Sequence, residues 1–256
     1  MNLYQMSSEE MARLVIDANM DAVRAVQDAS NEIARAVDAI AKAFENGGHL
    51  IYVGAGTSGR LGILDAAECP PTFGVSYETV RGIIAGGNER VFRAGENEED
   101  KYDEGVKAID AEGVRAGDVV VGISAAGGAA FVLGAMEHAR ELGAVTVGIS
   151  SNPDTAVLRA ADIAIFTDTG AEVLTGSTRL KAGTAQKIVL NTLTTCAMAK
   201  TGKVYENMMI NLAPTNEKLH RRVVRIVREI LGCSEEEALK RLNENEWNIR
   251  AAVSKD

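Results

Sequence analysis

The chain has 256 residues, 46% hydrophobic and 25% charged, enough for one sizeable α/β domain with a small appendage and no covalent staples. A formal charge of −9 argues against nucleic acid or an anionic membrane surface as partner, because both require a basic face. Three widely spaced cysteines, Cys69, Cys196 and Cys233, suit neither a disulfide framework nor a zinc site, and no stretch has the roughly 18 apolar residues of a membrane span. With no basic-then-apolar leader, a cytoplasmic protein is expected.

Residues 7 to 46 read as two amphipathic helices. Ser7-Ser8-Glu9-Glu10 is a capping start, and Val23, Val26, Ile33, Val37 and Ile40 recur at helical spacing, to cover the sheet or a partner subunit. His49 to Val53 is a short β-branched run that breaks at Gly54-Ala55-Gly56, as a central parallel strand entering a tight turn. Thr57 and Ser58 stand where a helix should begin, a natural anion site; that one of them only caps the helix remains open. The turn lacks the third glycine and the downstream acid of a dinucleotide fingerprint, so no nicotinamide cofactor is expected.

Leu61 to Ala67 reads as an apolar helix that Cys69-Pro70-Pro71 stops. Glu68 is then a carboxylate fixed at a helix end beside the glycine loop, placed for acid/base work, against solvated surface as the plainer reading. Cys69 reads as a small packing residue rather than a nucleophile. Residues 80–85, 118–123, 144–149 and 162–166 are further buried strands, giving a five-stranded parallel sheet with helices on both faces. The loops after Val53, Ala85, Ile123 and Ile149 should surround one site. An acidic run, Asn88 to Glu104, follows the second strand and is mostly solvated helix face. Thr178 to Lys200 reads as a long helix capped by Ser177, with Arg179, Lys181 and Lys187 among its polar positions. Gly232 is a helix stop, Ser234 and Glu237 form a capping box before two short helices, and Trp247 reads as a core anchor. His49 and His138 look structural.

The stretch GAGTSGRLGILDAAECPPTFG (54–74) closely resembles the signature of the N-acetylmuramic acid 6-phosphate etherases, which are built on the sugar isomerase (SIS) domain. The block from Gly170 to Lys187, GAEVLTGSTRLKAGTAQK, and the run Thr215-Asn216-Glu217-Lys218-Leu219-His220 resemble the same family. The resemblance implies a three-layer α/β SIS domain at 47–221, with N-terminal helices at 1–46 packing on the core and a ubiquitin-associated-like three-helix tail at 222–256. No ubiquitin partner is expected for that tail. It also implies a homodimer with a site near the interface, a small-molecule sugar as substrate, and no metal or cofactor.

Members of the family cleave the D-lactyl ether of the ring-opened sugar by elimination and then hydrate the unsaturated aldehyde, in cell-wall sugar recycling. The resemblance assigns Glu68 as acid to the leaving oxygen and then base to water, and Glu99 as base for the C2 proton, with Glu98 a one-residue slip away and the reverse assignment open. It places Gly56, Thr57, Ser58, Ser124, Gly127, Ser177 and Lys181 around the substrate, and His220 as a contact from the same or the other subunit. One departure is clear: Ala126, Gly128 and Ala129 occupy serine, arginine and threonine positions of the phosphate loop. Charge-assisted hydrogen bonds of roughly 1.5–3 kcal/mol each go with those side chains. Three readings stay open: phosphate held by backbone and by Ser58 or Ser177, an unphosphorylated or different sugar, or a noncatalytic sugar-phosphate-binding regulator. An aldose–ketose isomerase on the same fold fits the E-C-P-P and GSTRLKAGTAQK blocks less well. Family members carry an extension ahead of the first helix, and this chain starts close to that helix.

Overall fold

The computed structural model describes residues 2–95, 97–211, 214 and 217–253. Its elements in chain order are α1 (Ser8–Asp28), α2 (Ser30–Glu45), β1 (Leu50–Gly54), α3 (Gly56–Phe73), β2 (Val80–Ile84), α4 (Glu89–Phe92), α5 (Tyr102–Ala111), β3 (Val119–Ile123), α6 (Ala130–Glu141), β4 (Val145–Ser150), α7 (Ala156–Ala160), β5 (Ile163–Phe166) and α8 (Lys181–Lys200). After α8 come a two-stranded hairpin, β6 (Val204–Tyr205) and β7 (Met208–Met209), and the helices α9 (Glu217–Leu231), α10 (Glu235–Glu244) and α11 (Ile249–Val253). The five-stranded sheet is all parallel in the order β2-β1-β3-β4-β5, as the β-branched runs predict. The hairpin carried no sequence signal that stood out.

Side chains of β1 alternate between two cores, as the period of a strand requires. Leu50 and Tyr52 join α1, α2, α3 and α8 on one face, while Ile51 and Val53 join α5, α6 and α7 on the other. The N-terminal helices thus belong to the main core: Ala22, Val26, Ile33, Ala36 and Ile40 are buried in it, and Ser7 with Glu10 closes the expected capping box. A third cluster, built on Val223, Val227, Leu242 and Ile249, holds the C-terminal helices together, with Ile210 and the half-buried Trp247 packed in. The expected tail boundary at residue 222 falls inside α9.

The prolines do not stop α3, contrary to the sequence reading. The helix runs on through Pro70 and Pro71 to Phe73 and ends at Gly74, whose left-handed backbone (φ 63°) lets its N–H donate to the Pro70 carbonyl. A proline inside a helix costs about 3 kcal/mol. Here both lie in the last turn, and the buried row Gly62, Asp65, Ala66, Cys69 and Phe73 continues at helical spacing across them, so packing outweighs that cost. The Cys69 thiol is buried, donates to the Asp65 carbonyl and is pushed up to about 12 by burial first and Asp65 next, which fits packing and not nucleophilic attack.

Candidate active site

Strand order reverses between β1 and β3, so the crevice beyond their carboxyl ends is where this architecture receives ligands. The glycine turn forms one wall. Gly54 and Gly59 bring strand and helix together: a Cβ on Gly54 would stand 2.5 Å from the Gly59 nitrogen. Ala55 precedes the first turn of α3, and no side chain caps it. Neither Thr57 nor Ser58 is a cap, so the helix start keeps its anion-attracting N–H groups. Ser58 is buried and donates instead to Gln186 Oε1 at 3.0 Å, and Gln186 Nε2 is buried with no partner. Thr57 reaches α8 as well, its Cγ2 lying 3.6 Å from where a Cβ on Gly183 would stand.

The loop after β3 forms the other wall. Ser124 is buried, and its Oγ accepts from the Gly127 N–H at 3.1 Å. That N–H, expected to be available to a phosphate, is therefore engaged within the loop, while the Ser124 hydroxyl proton is left to donate. Ala126 and Gly128 are exposed. Thr155 packs onto Gly127, and its Oγ1 is buried without a partner.

Helix α8 starts at Lys181, three residues later than the spacing predicts, and Ser177 does not cap it. Both Glu172 oxygens do: Oε2 accepts from the Lys181 N–H and Oε1 from the Ala182 N–H, each at 3.0 Å. A carboxylate of the chain thus already fills this helix start, whereas α3 and α6, which follow β1 and β3, start without a side-chain cap. Lys181, expected at a polar position, is buried at 4% exposure and its Nζ pairs with Asp21 of α1 at 3.2 Å.

Glu99 lines a cavity of about 210 Å³ over the ends of β1 and β2, with Gly56, Arg60, Arg90, Gly95 and Glu98. Arg60 holds the far wall, donating from Nε to the Val91 carbonyl and from Nη2 to the Arg90 carbonyl, both at 2.7 Å. Glu98, the alternative register, is bound by Lys101 at 2.8 Å and faces Arg90 at 3.7 Å; the Lys101 hydrogen bond holds its carboxyl below the usual range. A larger cavity of about 560 Å³ lies outside β2, lined by Gly86, Glu98, Lys101, Lys107 and Phe131. Apart from Glu98 it holds none of the residues singled out by sequence.

Glu68 is not at a helix end beside this turn. It sits inside α3, on its exposed face, twelve residues after Gly56 and so about 18 Å further along the helix. It does not line the Glu99 cavity. His220 packs edge-on against Trp247 of the tail, with ring centroids 4.3 Å apart, and Thr215 and Asn216 of its motif lie outside the described residues. Within one chain the fold thus gathers Gly56, Thr57, Ser58, Ser124 and Gly127 at the strand ends and Glu99 beside them; Glu68 and His220 stand apart.

Arg60, Glu172 and Gln186 escaped the sequence reading. Each lies in a quoted motif, but their partners are distant in sequence, so only the motif could have flagged them. Among the described residues no group of three His, Cys, Asp or Glu side chains could hold a metal ion, and no helix is long and apolar enough to cross a membrane.

Comparison with known proteins identifies the family and the fold. The family described as "SIS domain" matches residues 102–196, and "Glucokinase regulatory protein N-terminal SIS domain" matches residues 32–140. Among solved structures, a phosphoheptose isomerase from Francisella tularensis superposes with a TM-score of 0.57 over 76% of this chain and all of that one, at 18% identity, which speaks for the fold alone. The N-acetylmuramic acid 6-phosphate etherase of Clostridium botulinum (strain Loch Maree / Type A3) is 46% identical over 98% of this chain and 83% of its own. That of Symbiobacterium thermophilum is 49% identical over 97% and 83%. With identity at that level from end to end, this chain belongs to the N-acetylmuramic acid 6-phosphate etherase family and carries its SIS-domain fold.

Proposed function

We propose that the chain is a carbon–oxygen lyase that cleaves the D-lactyl ether of N-acetylmuramic acid 6-phosphate, giving N-acetylglucosamine 6-phosphate and D-lactate. The observation that carries this reading is the near-full-length similarity to etherases of that name. The sugar lies across the end of β1. Its phosphate meets the open start of α3 and the Ser124 hydroxyl, and its reacting carbons lie over β2. Glu99 removes the C2 proton of the ring-opened sugar, the C3–O bond breaks, and Glu68 protonates the departing lactate oxygen. Glu68 then takes a proton from water as it adds at C3, and Glu99 returns a proton to C2.

Both glutamates must meet one substrate, and α3 keeps them apart within a chain. We infer a two-fold homodimer in which Glu68 serves the Glu99 cavity of the second copy. Supporting this, Leu64, one turn before Glu68, is 51% exposed, and α1 shows an exposed apolar row at Ile16, Met20 and Val23. An apolar groove with Val26, Ile33, Val37 and Ile188 runs beside that row. His220 belongs to the same boundary, and the C-terminal helices serve dimer contacts. A cytoplasmic setting goes with this activity.

The test is lactate release from N-acetylmuramic acid with and without the 6-phosphate, by wild type and Glu68→Gln. Release from the phosphorylated sugar alone, abolished in the variant, is expected. Release from the unphosphorylated sugar would make the Ala126, Gly128 and Ala129 loop a change of specificity, and release from neither would sink the reading.

A further inference from the structure

The cavity around Glu99 is too small for a sugar phosphate. Ligand pockets usually span about 300–1,000 Å³, and this one has about 210 Å³. It suits a fragment of the substrate. Which fragment follows from where Glu99 acts: a base at C2 stands next to C3, so the lactyl group is its neighbour, and the phosphate is at the far end of the carbon chain.

Arg90 supplies what a lactyl carboxylate needs. Its side chain passes between two residues without side chains. A Cβ on Gly86 would come 2.8 Å from Arg90 Cγ, and one on Gly95 would come 2.7 Å from Arg90 Nε. The guanidinium reaches the cavity with its donors largely unspent: Nε is buried with no partner, and Nη2 stands 3.7 Å from Glu98, beyond hydrogen-bond length. Glu98 itself is held by Lys101. A buried N–H without an acceptor is unfavourable, and an acceptor brought in by a ligand removes that cost. Arg60 lines the same cavity, yet its Nε and Nη2 are committed to the carbonyls of Val91 and Arg90, which fixes the backbone that carries Arg90.

We propose that Arg90 receives the carboxylate of the D-lactyl group and so determines that the enzyme cleaves an acidic ether. The guanidinium fork matches a carboxylate in shape and charge, and it holds the leaving group while the C3–O bond opens. This assignment rests on the etherase reading above.

The experiment compares N-acetylmuramic acid 6-phosphate with its lactyl methyl ester, which keeps the size and the ether but loses the charge. Wild type should favour the free acid by about 10- to 100-fold in kcat/KM, the range of a charge-assisted hydrogen bond. Arg90→Gln should bring that preference to within about threefold, by slowing cleavage of the acid and leaving that of the ester little changed. Inhibition by added D-lactate should weaken in parallel, while inhibition by N-acetylglucosamine 6-phosphate should not. An equal loss on acid and ester, or an undiminished preference for the acid, overturns the assignment. So does a loss that follows the 6-phosphate instead of the carboxylate, measured with the dephosphorylated sugar. Failure of the wild type to cleave either ether would instead remove the etherase reading, and this subsite with it.

Discussion

The hydroxyl of Tyr52, buried in β1, donates a 2.8 Å hydrogen bond to Oδ2 of Asp65 on α3. Oδ1 of the same carboxylate accepts from Asn191 at 2.6 Å and from Thr194 at 3.3 Å, both on α8. One buried carboxylate thus ties the site's strand to the two helices that frame it. Burial pushes the Asp65 carboxyl up, against the pull of its three donors, and pushes the Tyr52 hydroxyl well above its ordinary value. Asp65→Ala would remove the acceptor shared by three donors, leaving the Tyr52 and Thr194 hydroxyls to the Leu190 carbonyl at 3.4 and 3.3 Å and taking from Asn191 its 2.6 Å partner. A loss of about 3 kcal/mol or more in urea unfolding is expected, and Asp65→Asn should lose clearly less. A change under about 1 kcal/mol for Asp65→Ala would show that the seam does not hold the layer together.

Glu172 holds the start of α8 through two backbone N–H groups. Its replacement by alanine should destabilise the fold by about 1 kcal/mol, as loss of a helix cap does, and Glu172→Gln by less. Chemical denaturation measures both. If alanine and wild type unfold at the same urea concentration, the contact is not a cap of consequence.

The proposal that two copies share a site can be tested by mixing. Glu68→Gln and Glu99→Gln should each be inactive alone. Refolded together in equal amounts, half the dimers are mixed and each has one intact site, so about a quarter of wild-type activity should return. Recovery of nothing would place both glutamates in the same chain's site.

His138 on α6 is hydrogen-bonded by Asp110 of α5 at 2.7 Å and faces Glu141 at 3.4 Å. The Asp110 hydrogen bond raises its pKa above the ordinary 6.5, against partial desolvation. A raised folded value means the charged pair stabilises fully below the unfolded value near 6.5 and that this contribution fades as pH climbs through the higher folded value. His138→Gln should therefore lower the melting temperature more at pH 6 than at pH 9. An equal shift at both would assign the loss to packing.

The sheet was legible because each strand is a short β-branched run with a period-two split between cores, a property of neighbouring residues. The first helix was legible for the same reason, since Ser7 and Glu10 cap it within one turn. The misreadings involve distance along the chain. Pro70-Pro71 is a strong local stop, yet the buried faces of Cys69 and Phe73 override it. Ser177 is the local cap candidate for α8, yet Glu172 reaches in from nine residues before. Lys181 reads as surface until Asp21, 160 residues earlier, is placed beside it. At the site, the resemblance pointed to Glu99 and Glu68, while sequence alone could not tell that the length of α3 would separate them.

That helix works as a spacer of fixed length. Twelve residues from Gly56 to Glu68 are about three and a third turns, so these two positions differ in facing by roughly a third of a circle. A single inserted residue between them would turn Glu68 by about 100° onto the buried facing that Cys69 now has, and a deletion would turn it as far the other way, onto the exposed facing of Ala67, each moving it only about 1.5 Å along the axis.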